Sequence, residues 1–172
     1  MSHESTAVST ETPAYPHLGE HGPMVDALVR SALDVFATMV ALPLVAGVPT
    51  ISDARPPANV IGTVGFAGSI SGLVSFCGTR VASLEITAAL LGSSVDAVAG
   101  DLPDAIGEVA NMIAGSFRTK MSHSEDRWAI TMPVVTIGED FLQKYSSSAV
   151  RVICPLTMGT HQLFVELVLQ PA

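Results

Sequence analysis

Residues 101–120, DLPDAIGEVANMIAGSFRTK, read as one long amphipathic helix, and the remainder of the chain is arranged by what that helix needs. At about 100° per residue, Leu102, Ile106, Val109, Ile113 and Phe117 share one side, an apolar stripe that must face a core. Asp101 is placed to cap the start, Pro103 sits in the first turn where its missing N–H costs little, and the early acidic residues suit the helix dipole. On the opposite side Asp104, Glu108, Asn111 and Gly115 form a narrow stripe. Glu108 and Asn111 are three positions apart, so their side chains can approach the same ligand. Asn111 is the residue that needs a reason, because an amide in mid-helix competes for backbone hydrogen bonds and lowers helix propensity. Gly107 and Gly115 weaken the helix further and leave room for a close-approaching surface. The plain alternative is an ordinary polar helix face, since acid–amide pairs at this spacing also arise by chance.

Working outward, the pattern over 24–41 is helical, with Val25, Leu28, Ala32, Val35 or Phe36, and Met39 on one stripe and Pro43 ending it. Residues 60–66 and 70–76, separated by Ala67-Gly68-Ser69, read as a hairpin. A second helix over 80–91 starts after Thr79 and stops near Gly92. Strands are expected over 128–137, 148–156 and 161–169. In the last of these Leu163, Val165, Leu167 and Leu169 alternate with Phe164, Glu166 and Val168. The order helix, two strands, two helices, three strands predicts an α+β fold: a single layered domain over 24–172, helices packed on a mostly antiparallel sheet. Residues 1–23 are expected to be a flexible N-terminal arm.

A chain of 172 residues with 48% hydrophobic and 14% charged residues holds one domain with a real core. The net charge of -8 and the absence of any Lys/Arg cluster argue against nucleic acid and against anionic membranes as partners. The first residues lack the basic start and apolar run of a secretory signal. The apolar tract 39–51 is broken by Pro43 and Pro49 and is too short for a bilayer, so a cytoplasmic protein is expected. Cys77 and Cys154 fit neither a metal pair nor a redox motif and read as buried, reduced thiols. His3, His17 and His21 in the arm, His123 in a polar loop and His161 at a strand edge have no ligand spacing. No cofactor is expected on this chain: there is no dinucleotide fingerprint, phosphate-binding loop or nucleophile elbow. Arg80 reads as the start of a solvated helix face, and Trp128 as core or subunit interface.

The 101–120 helix with its surroundings resembles the CheC/CheX/FliY chemotaxis phosphatase family, most closely the single-site CheX branch. The pattern of that family is matched here by Asp104, then Glu108 four residues on, Asn111 three after that, and Pro133 in TMPVVTIG some twenty residues downstream. GEVANMIAG and the upstream SALDVFATMV are also similar, and the resemblance spans about 24–170. It implies a CheC-like fold and a phosphatase for the aspartyl phosphate of a CheY-like response-regulator receiver domain. In that scheme Asn111 orients the attacking water and Glu108 engages the receiver's lysine. Asp104 is an auxiliary contact, and Pro133 shapes a nearby strand. Mg²⁺ belongs to the partner receiver. The resemblance also implies a homodimer, with the apolar strands after Ser148 compatible with burial at its interface. Two-site relatives repeat Glu and Asn on another helix, but Asp34, Thr38 and Ala41 here lack that carboxylate and amide, so one active face is expected. A non-catalytic receiver-docking or assembly module of the same fold is the main alternative. A ligand-binding sensor would need a polar-lined pocket that the sequence does not display.

Overall fold

The computed structural model describes residues 15–122, 127–139 and 143–170. Helix α1 (Gly22–Val35) winds into a wider π-type turn over Phe36–Val40, and Ala41, at φ 57°, ends it ahead of Pro43. Strands β1 (Val45–Ala46) and β2 (Thr50–Ile51) follow, then the hairpin β3 (Val60–Ala67) and β4 (Ser71–Gly78). Helices α2 (Arg80–Leu91) and α3 (Leu102–Met121) precede β5 (Ala129–Ile130), β6 (Val134–Ile137), β7 (Val150–Met158) and β8 (His161–Gln170).

The strands form one sheet in the order β1-β7-β8-β4-β3-β5, with β2 also on β7 and β6 also on β3. Every described pairing is antiparallel. Consecutive β3–β4 and β7–β8 hairpins place β8 against β4 in the middle of the sheet. β7 and β8 therefore bury their side chains within the chain's own core, which accounts for the apolar run after Ser148 without a subunit interface.

The helices lie on one face. Leu102, Ile106, Val109, Ile113 and Phe117 are all fully buried, so the apolar stripe of α3 is the core face the sequence indicates. Thr79 caps α2, accepting from the Ala82 N–H at 3.3 Å, and Gly92 closes it in the left-handed region at φ 60°. Asp101 does not cap α3 with its side chain; its carbonyl accepts from Ala105 N–H at 3.0 Å instead. Trp128 is core, stacked on Phe66 and edge-on to Phe117, with centroids 5.4 and 6.1 Å apart.

Three expectations change. First, residues 15–23 are built into the domain: Pro16–His21 makes a 3-10 turn, Leu18 is buried, and His17 Nε2 donates to the Pro49 carbonyl at 2.9 Å. His3 and His123 lie outside the described residues. Second, the helix that ends before Pro43 is followed by two short strands beyond those expected, β1 and β2, which pair with β7. Third, the strand expected over 128–137 is two short strands, because Thr131 breaks the ladder. Its N–H donates to the Gly65 carbonyl and its Oγ1 accepts from the Gly65 N–H, each at 2.9 Å.

Part of the far face of the sheet is also buried. Ala58, Ile61, Cys77, Ile153 and Phe164 form a second small cluster there. Beside it, Arg151 Nη2 donates to Glu166 Oε1 at 2.6 Å, and Arg151 Nη1 donates to the carbonyls of Asp53 and Ala54 at 3.2 and 3.1 Å. Burial pushes the Glu166 carboxyl pKa up, and the Arg151 guanidinium opposes that shift without cancelling it. Cys77 and Cys154 are free thiols in the interior, and burial pushes the Cys154 thiol to about 12.

Candidate functional site on helix α3

The position of α3 is set by glycine. A Cβ at Gly62 of β3 would lie 2.9 Å from the Ala110 Cβ and 3.0 Å from the Ile106 carbonyl oxygen. The helix backbone thus rests directly on the strand, and any side chain at 62 would push it off. On the neighbouring flank, a Cβ at Gly107 would lie 3.4 Å from Val135 Cγ2 and 3.7 Å from Pro133 Cγ, in ordinary van der Waals contact. Gly107 is therefore the point at which β6 and the residues before it close against the helix.

This packing brings the expected residues together. Pro103, Asp104, Gly107, Glu108, Pro133 and Val135 line one shallow cleft of about 320 Å³ between the first turns of α3 and the start of β6. Pro133, distant in sequence, thus stands beside Asp104 and Glu108. Asn111 lies one turn further along the same face, outside the lining of the cleft, and is half-buried where Glu108 and Asp104 are exposed. With a rise of roughly 1.5 Å per residue, Glu108 and Asn111 are separated by only about 4.5 Å along the axis. Gly115 follows on the same stripe, and a Cβ there would meet nothing within 4 Å. Beyond Asn111 the face is open.

None of Asp104, Glu108 or Asn111 makes a side-chain hydrogen bond or ion pair with another described residue. Polar side chains nearby behave differently. Lys120 donates to Asp34 Oδ2 at 2.8 Å and to Ser116 Oγ at 3.1 Å, and Thr38 Oγ1 donates to the Asp34 carbonyl at 2.7 Å. Asp34 and Thr38, where a repeated motif would fall, are thus occupied within the fold. His161 Nε2 lies 3.0 Å from Glu85 Oε1, a pair between the start of β8 and α2. Arg80 is exposed, and its N–H donates to Asn59 Oδ1 at 2.6 Å. Among the described residues no cluster of three His, Cys, Asp or Glu side chains could hold a metal, and no helix is long and apolar enough to cross a membrane.

Two features of this region were not anticipated. Met132, immediately before Pro133, is 85% exposed. Gly62 reads in sequence as an ordinary hairpin glycine, although it sets the seat of α3. Neither leaves a local signal, because each depends on which element packs alongside.

Helix, cleft and adjoining sheet edge define an α+β domain that presents a carboxylate and an amide from one face of α3. The chain belongs to the chemotaxis phosphatase CheX family, whose model matches residues 60–157. It is 27% identical over 143 residues to the CheY-P phosphatase CheX of Thermotoga maritima, covering 82% of this chain and 91% of that protein. Among solved structures, CheX from Desulfovibrio desulfuricans superposes with a TM-score of 0.77 at 24% identity, covering 86% of this chain and 99% of the other. The Borrelia burgdorferi CheX–CheY–BeF3–Mg²⁺ complex gives a TM-score of 0.70 at 21% identity, covering 86% of this chain and 98% of that one. These structural likenesses bear on the fold, which is the CheC/CheX α+β arrangement.

Proposed function

We propose that the chain is a phosphatase that hydrolyses the aspartyl phosphate of a CheY-like response-regulator receiver domain, with Asn111 and Glu108 as its working residues. The observation that carries this reading is the free carboxylate–amide pair on the exposed face of α3. The family and its CheY-P phosphatase member supply the reaction.

The receiver already holds Mg²⁺ and a lysine around its phosphoryl group, so hydrolysis lacks mainly an aligned water. The Asn111 side chain enters that pocket, and its amide oxygen accepts a hydrogen bond from the water and holds it in line. The water oxygen bonds to phosphorus as the bond from phosphorus to the aspartyl oxygen breaks. The carboxylate is restored and inorganic phosphate leaves with both hydrogens of the water, one on the attacking oxygen and one passed to another phosphate oxygen. An amide suits this task because it orients water without placing a second negative charge beside phosphate. Glu108 pairs with the receiver's lysine and sets the register of Asn111. Asp104 lines the cleft beside Glu108 and adds to the negative charge facing that lysine, and Pro133 fixes the other wall. Such a substrate places the chain in the cytoplasm.

Glu108 supplies the first test. Glu108→Ala raises the receiver concentration needed for half-maximal phosphate release by about tenfold or more, since a lost charge-assisted contact is worth roughly 1.5–3 kcal/mol. An unchanged half-saturation in steady-state assays of phosphorylated receiver would remove Glu108 from the contact.

A homodimer joined at a sheet edge is the second part of the proposal. Val45, Val48 and Ile51 are more than half exposed along the β1/β2 edge, the edge remote from α3 in strand order, so a second copy there leaves the active face free. Sedimentation equilibrium is expected to give twice the chain mass, and Ile51→Lys to shift it towards the monomer. A wild-type monomer at micromolar concentration would overturn this part.

A further inference from the structure

We propose that Met132 and the bulge that carries it form a docking knob for the receiver, an apolar contact beside the catalytic face that sets affinity and partner choice. This rests on the reading of α3 given above and adds a surface to it. An exposed methionine at the tip of a loose loop would mean little, but this bulge is pinned. Thr131 is bonded in both directions to Gly65 of β3 at 2.9 Å, and its Oγ1 also donates to the Met132 carbonyl at 3.1 Å. Pro133, the next residue, has a fixed φ and packs against the helix at Gly107 as a wall of the cleft that holds Glu108. Met132 is thereby presented in a defined place with 85% of its surface exposed.

The chemistry of the rim indicates the occupant. Asp104 and Glu108 make it acidic, and among the cleft-lining residues there is no cation. A partner that seats here has a basic group facing Glu108 and an apolar patch facing the residue before Pro133. A receiver with its pocket lysine meets the first requirement, and Met132 supplies the second. Methionine is suited to such a contact because its unbranched, polarizable side chain adapts to different apolar surfaces. A rigid mount with an adaptable tip gives affinity with little ordering cost on binding.

The test compares wild type, Met132→Ser and Met132→Leu as full chains. Binding is measured by calorimetry to a receiver domain loaded with Mg²⁺ and beryllofluoride, and hydrolysis by phosphate loss from the phosphorylated receiver. Met132→Ser is expected to weaken binding and raise half-saturation about tenfold with maximal turnover unchanged within about twofold, whereas Met132→Leu keeps both. Because the position is exposed, both variants should unfold at the wild-type denaturant midpoint. Equal binding by wild type and Met132→Ser overturns the proposal. So does a Met132→Ser variant that binds receiver normally but sediments differently, which would assign the knob to a second copy of the chain. Weakened binding by Met132→Ser with no hydrolysis by wild type would keep the docking knob and overturn the phosphatase reading instead.

Discussion

Asn111→Ala is expected to lower maximal turnover on phosphorylated receiver on the order of 10²–10³-fold, the usual cost of removing one preorganised polar group from a transition state. Binding to the receiver should stay within about threefold, because the interaction is realised in the transition state more than in docking. The same substitution should leave the protein at least as stable as wild type, by up to about 0.5 kcal/mol, since alanine is the better helix former and the amide has no described partner to lose. Activity lost while stability is kept is the signature of a residue retained for function. Stopped assays of phosphate release, run with urea unfolding of the same preparations, read both quantities. A variant that turned over at the wild-type rate would move the water-positioning role off Asn111.

The second large effect lies on the other side of the sheet. Glu166→Ala is expected to lower the free energy of unfolding by about 3–5 kcal/mol, because it leaves the Arg151 guanidinium in a dry interior without its carboxylate. Arg151 and Glu166 retain only 7% and 1% of their side-chain exposure, so the guanidinium recovers little hydration when its partner is lost. A stable domain holds only about 5–15 kcal/mol in total, so the loss shows as a large drop in urea midpoint. The double variant Arg151→Met with Glu166→Leu should recover part of the loss, since apolar replacement of both members of a buried pair is often nearly neutral. Recovery stays incomplete because Arg151 also anchors the carbonyls of Asp53 and Ala54. A Glu166→Ala protein within about 1 kcal/mol of wild type would show that this pair does not hold the far face.

The contrast between these two residues shows what the sequence made legible. The α3 face was readable because a helix of 20 residues repeats its pattern over several turns, so Glu108 and Asn111 fall on one side whatever the rest of the fold does. The β3–β4 hairpin and α2 were readable for the same reason, through clear alternation and through Thr79 and Gly92 at the helix ends. Glu166 was harder. In a strand a charged residue between apolar neighbours suggests a solvated face, but both faces of the sheet are covered at β8, and alternation then stops reporting exposure. β1 and β2 are two residues each, too short for any period, and only β7 makes them strands. The split between β5 and β6 depends on Thr131 meeting Gly65, a contact between residues 66 positions apart. Pro133 was expected near the site through resemblance alone, and the structure supplies the physical link: it lies across Gly107, the glycine between Asp104 and Glu108 that lets the strand approach.

The most direct measurement of the central claim is the rate of phosphate loss from a Mg²⁺-loaded, phosphorylated receiver domain saturated with the wild-type chain, against the same receiver alone. The complex is expected to lose phosphate on the order of 10²-fold faster or more. A saturated complex that loses phosphate at the rate of the free receiver would contradict that expectation, and would leave α3 as a docking face without catalysis.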